Sequence, residues 1–385
     1  MLDFLIKKAE ERIKQAMDIP VRAAPFFSFE TVLLLLSILY AACVRCRTLL
    51  YRFHILPSRK VPCVVVSIGN IIAGGTGKTP MTLYIADLVK KLGCRPVVVS
   101  RGYRGRFEKN GGIVSDGRQI LCSPKDSGDE PFMTASLLNI PVVVGSNRYN
   151  AAMTAAARFN PDIIILDDGF QHLSLFRDLN LILLDGASPF GNGALLPRGI
   201  LREPVAAVKR SDAVVFTRCH GLPTSLESVC PDRAGGPFFE TCHAPNISMV
   251  INADGRQMDE TEKNEFLKDI RTGTGFLFSG IANNADFRRG CGELGIKTAG
   301  FLEFPDHFWY TQLDLECIRN AFRKSRADFI VTTQKDYVRI KDPSFFTAVV
   351  AVTGVQLVFK KGEEDVFETF IKHKIHSSGA VNDTH

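Results

Sequence analysis

Residues 61–80 read Val61-Pro-Cys-Val-Val-Val-Ser-Ile-Gly-Asn-Ile-Ile-Ala-Gly74-Gly-Thr-Gly-Lys-Thr-Pro80. Val61 to Ile68 is a short, almost unbroken apolar run, the pattern of a strand buried on both faces of a parallel sheet. Residues 80–92 carry a helical pattern, and Pro80 is acceptable in a helix's first turn. Between the two lie Gly74, Gly75, Thr76, Gly77, Lys78 and Thr79. A glycine loop between a buried strand and a helix lets backbone N–H groups turn inward around phosphate oxygens. The helix N-terminus adds a positive partial charge. Lys78 is then placed for β- and γ-phosphates, and Thr79 for a hydroxyl contact to Mg²⁺. The motif departs from its usual form at one point, where its first glycine is replaced by Ile72.

Working outward, short apolar runs alternate with helical stretches. Strands are expected at 96–100, 141–145, 163–166, 181–184 and 213–217, with helices at 129–138 and 149–159 between them. Residues 111–121 carry turn signals and read as a small hairpin. After a stretch rich in Pro, Gly and Cys at 221–245, a second αβ unit begins near Gly275. Its strands are expected at 276–279, 297–301 and 328–332, and its helices at 285–294 and 312–323. The expected fold is α/β: a P-loop NTPase-like parallel sheet flanked by helices, a smaller C-terminal α/β domain, and an N-terminal membrane-associated helix. The domains are read as 1–50 (N-terminal segment), 51–240 (P-loop core), 241–274 (linker), 275–376 (C-terminal α/β) and 377–385 (tail).

The first fifty residues differ from the rest. Leu2, Leu5, Ile6, Ala9, Ile13, Ala16 and Met17 follow one helix face, and Lys7, Lys8, Glu10, Glu11, Arg12, Lys14 and Gln15 fill the other. An uncharged stretch at 31–44 follows, shorter than the roughly 20 residues needed to cross a bilayer core. Arg45, Arg47, Arg52, Arg59 and Lys60 come close behind it. An apolar segment with basic flanks suits a membrane surface; a helix buried against the main domain is the other reading.

Composition, at 45% hydrophobic and 23% charged, is that of an ordinary globular protein and excludes disordered, collagen-like and multi-span membrane classes. The net charge of +6, from 47 basic and 41 acidic residues, favours an anionic surface or ligand and is no nucleic-acid signature. The ten cysteines form no regular framework, and the lone Cys43–Cys46 pair lacks partners for zinc. Buried free thiols in a reducing compartment are expected.

The second chemical feature is Ile163-Ile-Ile-Leu-Asp167-Asp168, a buried strand that delivers carboxylates to its C-terminal edge. Ligands bind at that edge of an open parallel sheet, and a carboxylate there can hold Mg²⁺. Other local words are distinctive: Ser100-Arg-Gly-Tyr-Arg-Gly105, Gly128-Asp-Glu-Pro131, Asp168-Gly-Phe-Gln-His172, Leu195-Leu-Pro-Arg-Gly-Ile-Leu-Arg-Glu203 and Phe304-Pro-Asp-His307. With the loop, they closely resemble the tetraacyldisaccharide 4′-kinase family, the lipid A 4′-kinases, from about Arg45 to Val338.

The resemblance implies a membrane-associated P-loop kinase at the cytoplasmic face of a Gram-negative inner membrane. It would phosphorylate the 4′-hydroxyl of an acylated glucosamine disaccharide 1-phosphate, an anionic glycolipid, with ATP and Mg²⁺ and no nucleic-acid partner. By the same resemblance Lys78 and Thr79 match the phosphate and Mg²⁺ contacts, and Asp167 and Asp168 the acidic pair near the metal. Asp129 matches the catalytic base and His307 its partner, Glu203 matches an active-site glutamate, and Arg148 sits in a Gly-Ser-Asn-Arg-Tyr stretch similar to the family's. His172 is a supporting candidate. Phe308 stands where the family has a second histidine, and Gln334 where it tends to have Glu. A membrane-recruited switch-type ATPase or GTPase is the alternative; Thr333-Gln-Lys-Asp336 only superficially resembles a guanine-reading word, since Lys and Asp are adjacent.

Overall fold

The computed structural model describes residues 12, 13, 15–17, 19, 20, 28–219, 236–340 and 342–379. Most of the expected N-terminal amphipathic helix, Pro25 with Phe26 and Phe27, residues 221–235 and most of the tail lie outside these.

Among the described residues, twelve strands form one sheet, in the order β10-β9-β11-β12-β8-β7-β6-β1-β5-β2-β4-β3. Their bounds are β1 Val64–Gly69, β2 Pro96–Ser100, β3 Gly112–Asp116, β4 Pro141–Val144, β5 Ile163–Asp167, β6 Leu179–Asp185, β7 Ala213–Thr217, β8 Phe238–Ile251, β9 Thr274–Ser279, β10 Lys297–Glu303, β11 Phe329–Thr333 and β12 Val350–Phe359. The main helices are α1 Phe29–Arg52, α2 Lys78–Lys91, α3 Asp129–Leu137, α4 Arg148–Phe159, α5 Glu260–Asp269, α6 Asn284–Glu293, α7 Gln312–Ser325 and α8 Glu363–Ser377.

The apolar runs explain the centre of the sheet. Every residue of β1, β2, β5 and β7 is buried, as parallel strands covered by helices on both faces require. One core lies under α2 and α8, where Met81, Ile85, Phe367 and Ile371 meet Val66, Ile68 and Ile165. A separate core of Phe276, Phe278, Ile318 and Val350 serves the C-terminal half.

The expected linker at 241–274 holds ordered elements. β8 is a 14-residue strand that pairs parallel to β7 through its first residues and antiparallel to β12 along most of its length. It thus joins both halves into a single sheet, and α5 follows under a capping box at Asp259 and Glu262. The expected hairpin at 111–121 is reduced to one strand, β3, whose chain folds back through the Ser115–Ile120 bridge; β3 itself pairs antiparallel with β4 at the sheet edge.

α1 has 24 residues, about 36 Å at 1.5 Å per residue. The uncharged run therefore understated it: Arg45, Arg47 and Arg52 continue the helix instead of ending it. It is long and apolar enough to cross a membrane by length and composition. Leu33, Ser37 and Val44 form its buried stripe. Ser37 Oγ donates to Leu195 O at 2.8 Å and Tyr40 Oη to Arg202 O at 3.0 Å. The opposite face exposes Val32, Leu35, Leu36, Ile38 and Leu39. The expectation of buried thiols fails on this helix, where Cys43 and Cys46 are exposed, as is Cys317. Cys94, Cys219 and Cys291 are buried as expected, and the nine described cysteines are free.

Candidate active site

The loop between β1 and α2 is built for an anion. Gly77 adopts φ +80°, a left-handed conformation that L side chains rarely take. A Cβ there would also lie 2.4 Å from the His243 ring. α2 has no side-chain cap and no acidic residue in its first turn, so its N–H groups and positive dipole end remain for a ligand. Thr76 is buried; its hydroxyl accepts from Asn70 Nδ2 at 2.9 Å and its carbonyl from Thr217 Oγ1 at 3.1 Å. Arg218 Nη2 donates to Gly75 O at 2.8 Å. Lys78 reaches back to Gly74 O at 3.4 Å and lies 3.7 Å from Asp168. Ile72, in the place of the motif's usual glycine, is buried and bridges to Leu201. It fastens the loop's approach to the 195–203 segment.

Sheet register brings the acidic pair to this loop. β1 and β5 are adjacent and parallel, with Ile68 opposite Asp167, so the chain leaves both strands at the same edge. Asp167 is enclosed; its oxygens lie 3.5 Å from Thr82 Oγ1 and 3.5 Å from Ser100 Oγ. Burial, aided by the charges of Glu130 and Asp168, pushes its carboxyl up to about 7 against the pull of Lys78 and Arg148. Asp168 turns the chain at φ +55°. Burial opposes its charge too, but Lys78 and Arg202, the latter at 3.1 Å, outweigh it and hold the carboxyl below the ordinary range. Arg148 lies behind the pair, buried, with Nη1 donating to Gly145 O at 2.6 Å. Burial lowers it to about 10.

This asymmetry predicts a pH effect. A carboxyl that binds its proton more tightly folded than unfolded stabilises the fold at low pH and loses that contribution as pH rises. For Asp167 the window runs from its ordinary value of 3.8 to about 7, worth on the order of 4 kcal/mol at ~1.4 kcal/mol per unit. Thermal melts in EDTA should show wild-type Tm falling between pH 5 and 7, and Asp167→Asn should flatten that fall. Parallel slopes in the two proteins would contradict the assignment.

A second cluster stands beside the first, since α3 touches α2 and Glu130 at its head acts on Asp167. Asp129, the first residue of α3, accepts Arg339 Nη2 at 2.7 Å and Nε at 3.2 Å, both on Oδ2. His307 Nδ1 lies 3.2 Å from the same oxygen. His307 adopts φ +61°, and its N–H donates to Gly280 O at 3.2 Å. The structure thus joins Asp129 and His307, 178 positions apart in the chain. Phe308 packs against Phe304 and Tyr310 at ring-centroid distances of 4.9 and 5.4 Å, and the remaining departure, Gln334, lies against Gly354.

Glu203 is buried and paired with Arg210 Nη2 at 2.5 Å. Burial raises its carboxyl, opposed by Arg210, Arg47 and Arg177. Its neighbour Arg202 connects it to Asp168. His172 is lowered to about 3 by burial and by Arg148, so it is a neutral imidazole near the pair. Sequence reasoning missed Arg202, Arg339 and Asp336. The first and last lie inside words already singled out, and Arg339 follows Asp336 by one helical turn.

Comparison with known proteins places the chain among characterised relatives. The family model described as tetraacyldisaccharide-1-P 4′-kinase matches residues 29–376. A tetraacyldisaccharide 4′-kinase of Desulfatibacillum aliphaticivorans is 38% identical over 89% of this chain and 92% of its own length. That of Syntrophus aciditrophicus is 40% identical over 86% and 89%. The crystal structure of LpxK from Aquifex aeolicus in complex with ATP superposes with a TM-score of 0.71 at 31% identity, covering 90% of this chain and all of that one. With a family model spanning both clusters and relatives matched over nearly their whole length, the chain belongs to the tetraacyldisaccharide-1-P 4′-kinase family.

Proposed function

We propose that this kinase moves the γ-phosphate of ATP, with Mg²⁺, onto the 4′-hydroxyl of an acylated glucosamine disaccharide 1-phosphate held in a membrane surface. The observation that carries the reading is the meeting, at one sheet edge, of an uncompensated helix N-terminus, an acidic pair and a carboxylate–histidine pair. The ATP-bound structural relative supports the choice of nucleotide.

The residues fit a hard cation. Asp168 Oδ1 is buried without a hydrogen-bond partner, and both Asp167 oxygens have only 3.5 Å neighbours. Oxygens left under-satisfied in this way suit Mg²⁺. Asp167, Asp168 and the Thr79 hydroxyl would hold it, and when bound it would neutralise charge on the β- and γ-phosphates. The loop N–H groups and Lys78 orient the triphosphate. Asp129 accepts the proton that the attacking hydroxyl sheds, and His307 supports it. The Arg202–Asp168 pair holds Asp168 in place, and the buried charge of Arg148 acts on both carboxylates.

The exposed face of α1 supports membrane attachment at the cytoplasmic side of the inner membrane. Leu35 and Leu39 are 63% and 64% exposed, and Arg45 and Arg47 follow where headgroups would begin. Burying a leucine is worth about 1.5–3 kcal/mol, so Leu35→Lys/Leu39→Lys should lower partition onto anionic phospholipid vesicles by at least about tenfold. Unchanged co-sedimentation would rule this face out. For activity, purified protein in detergent should transfer label from [γ-³²P]ATP to the disaccharide phosphate. Label found only as free phosphate with every lipid offered would instead support a switch ATPase.

A further inference from the structure

We infer that Arg339 is a positioning residue for the proton-accepting carboxylate, holding Asp129 by one oxygen so that the other is presented to the acceptor hydroxyl. This rests on the reading of Asp129 as the base. The Arg339 side chain is wholly buried. Its Nε and Nη2 both donate to Asp129 Oδ2, at 3.2 and 2.7 Å. That oxygen also faces His307 Nδ1, whereas Oδ1 has no protein partner among the described residues.

The far side of the guanidinium is equally fixed. Nη1 donates to Gly280 O at 3.2 Å and lies 3.4 Å from Asp336 Oδ1. Asp336 is itself locked by Gly280 N at 3.0 Å, Tyr310 Oη at 3.0 Å and Thr333 Oγ1 at 2.7 Å. Asp129 rides on α3 in the first half of the chain, while all its holders come from the second. Nothing in α3 itself fixes the carboxylate's rotation. A planar fork with donors on two sides spans this gap; a lysine ammonium supplies one point charge and cannot grip both ends.

The alternative is a plain strut between the two halves of the sheet. A strut would change stability and substrate KM, and its loss would act independently of Asp129. Misplacing a reacting group by about 1 Å costs on the order of 10²-fold. Accordingly Arg339→Lys in the full chain, assayed in detergent, should lower kcat about 100-fold with both KM values within about threefold. In an Asp129→Asn background the same substitution should change kcat by less than about threefold. Methylguanidinium should restore part of the kcat of Arg339→Ala, and none when Asp129→Asn is also present.

Near wild-type kcat for a folded Arg339→Lys overturns the inference, and so does an equal loss in both backgrounds. Should both Arg339 variants fail to fold by circular dichroism, Asp336→Asn frees the same anchor: a fall in kcat at constant KM supports the inference, and an unchanged kcat overturns it. If Asp129→Asn alone keeps wild-type turnover, the base reading fails, and that single variant tells the two failures apart.

Discussion

Replacing Lys78 by alanine is expected to lower turnover by roughly 10³-fold at saturating ATP, with the fold intact. Removal of one preorganised charge from a phosphoryl-transfer site typically costs 10²-fold or more, and cations on the transferred group up to about 10⁵-fold. Lys78 occupies the point where such a charge matters. It begins α2, whose first turn carries no acid, and its ammonium is held between Gly74 O and Asp168. Both contacts are long, so a nucleotide can draw the ammonium onto its phosphates at little cost. The Lys78 side chain is 15% exposed and its two protein contacts are long, so Lys78→Ala should leave the chain folded and lower Tm by less than Asp129→Ala does. Single-turnover rates with radiolabelled ATP, together with a thermal melt, check both statements. A loss below about tenfold would mean that the loop binds phosphate without Lys78 taking part in transfer.

The parts of this site that were legible in the sequence are those built from neighbours in the chain. The run Val64–Gly69, the glycines and Lys78 follow one another, so strand, loop and helix start can be read together. Ile163 to Asp167 is likewise continuous, and because ligands bind beyond the carboxyl ends of parallel strands its acidic end falls at the ligand edge. That Asp167 stands beside Ile68 follows from strand pairing, which no local pattern encodes. β8 escaped for a different reason. Its middle is only partly buried and contains Pro245, so neither alternation nor an apolar run marks it. It is a strand because β7 and β12 supply partners on its two sides. α1 runs past the uncharged stretch because charge does not end a helix: Arg45, Arg47 and Arg52 are good helix formers. Arg339 carried no signal at all, since arginine is rarely enclosed and its partners Asp129 and Gly280 lie far away in sequence. The Asp129–His307 pairing came from likeness to known sequences; the structure supplies its geometry, at 3.2 Å.

Asp129→Ala is expected to cost less than Lys78→Ala, roughly 10²-fold in kcat, with KM for ATP little changed. A sugar hydroxyl must lose its proton as the phosphoryl group arrives, and general-base assistance is worth about 10²–10⁴-fold. In a loose transition state the proton leaves late, and most stabilisation comes from charge around the transferring group. That puts the base towards the lower end of its range and Lys78 above it. The geometry adds a second contribution to Asp129→Ala. Arg339 is fully enclosed and directs two donors at Asp129 Oδ2, so alanine leaves a buried guanidinium short of its anion. Truncating one member of a buried pair costs about 3–5 kcal/mol of stability. Here Asp129 is 14% exposed and Asp336 remains as a partner, which sets the expectation nearer 2 kcal/mol by analogy with hydrogen bonds to charged groups. Asp129→Ala should therefore lose both activity and several degrees of Tm, whereas Lys78→Ala loses mainly activity. The two variants can be ranked in one experiment at saturating ATP, with kcat normalised to the folded fraction from the melt. If Asp129→Ala is the slower enzyme after that correction, proton removal and not charge neutralisation limits this kinase, and the order of contributions argued from the phosphate loop is reversed.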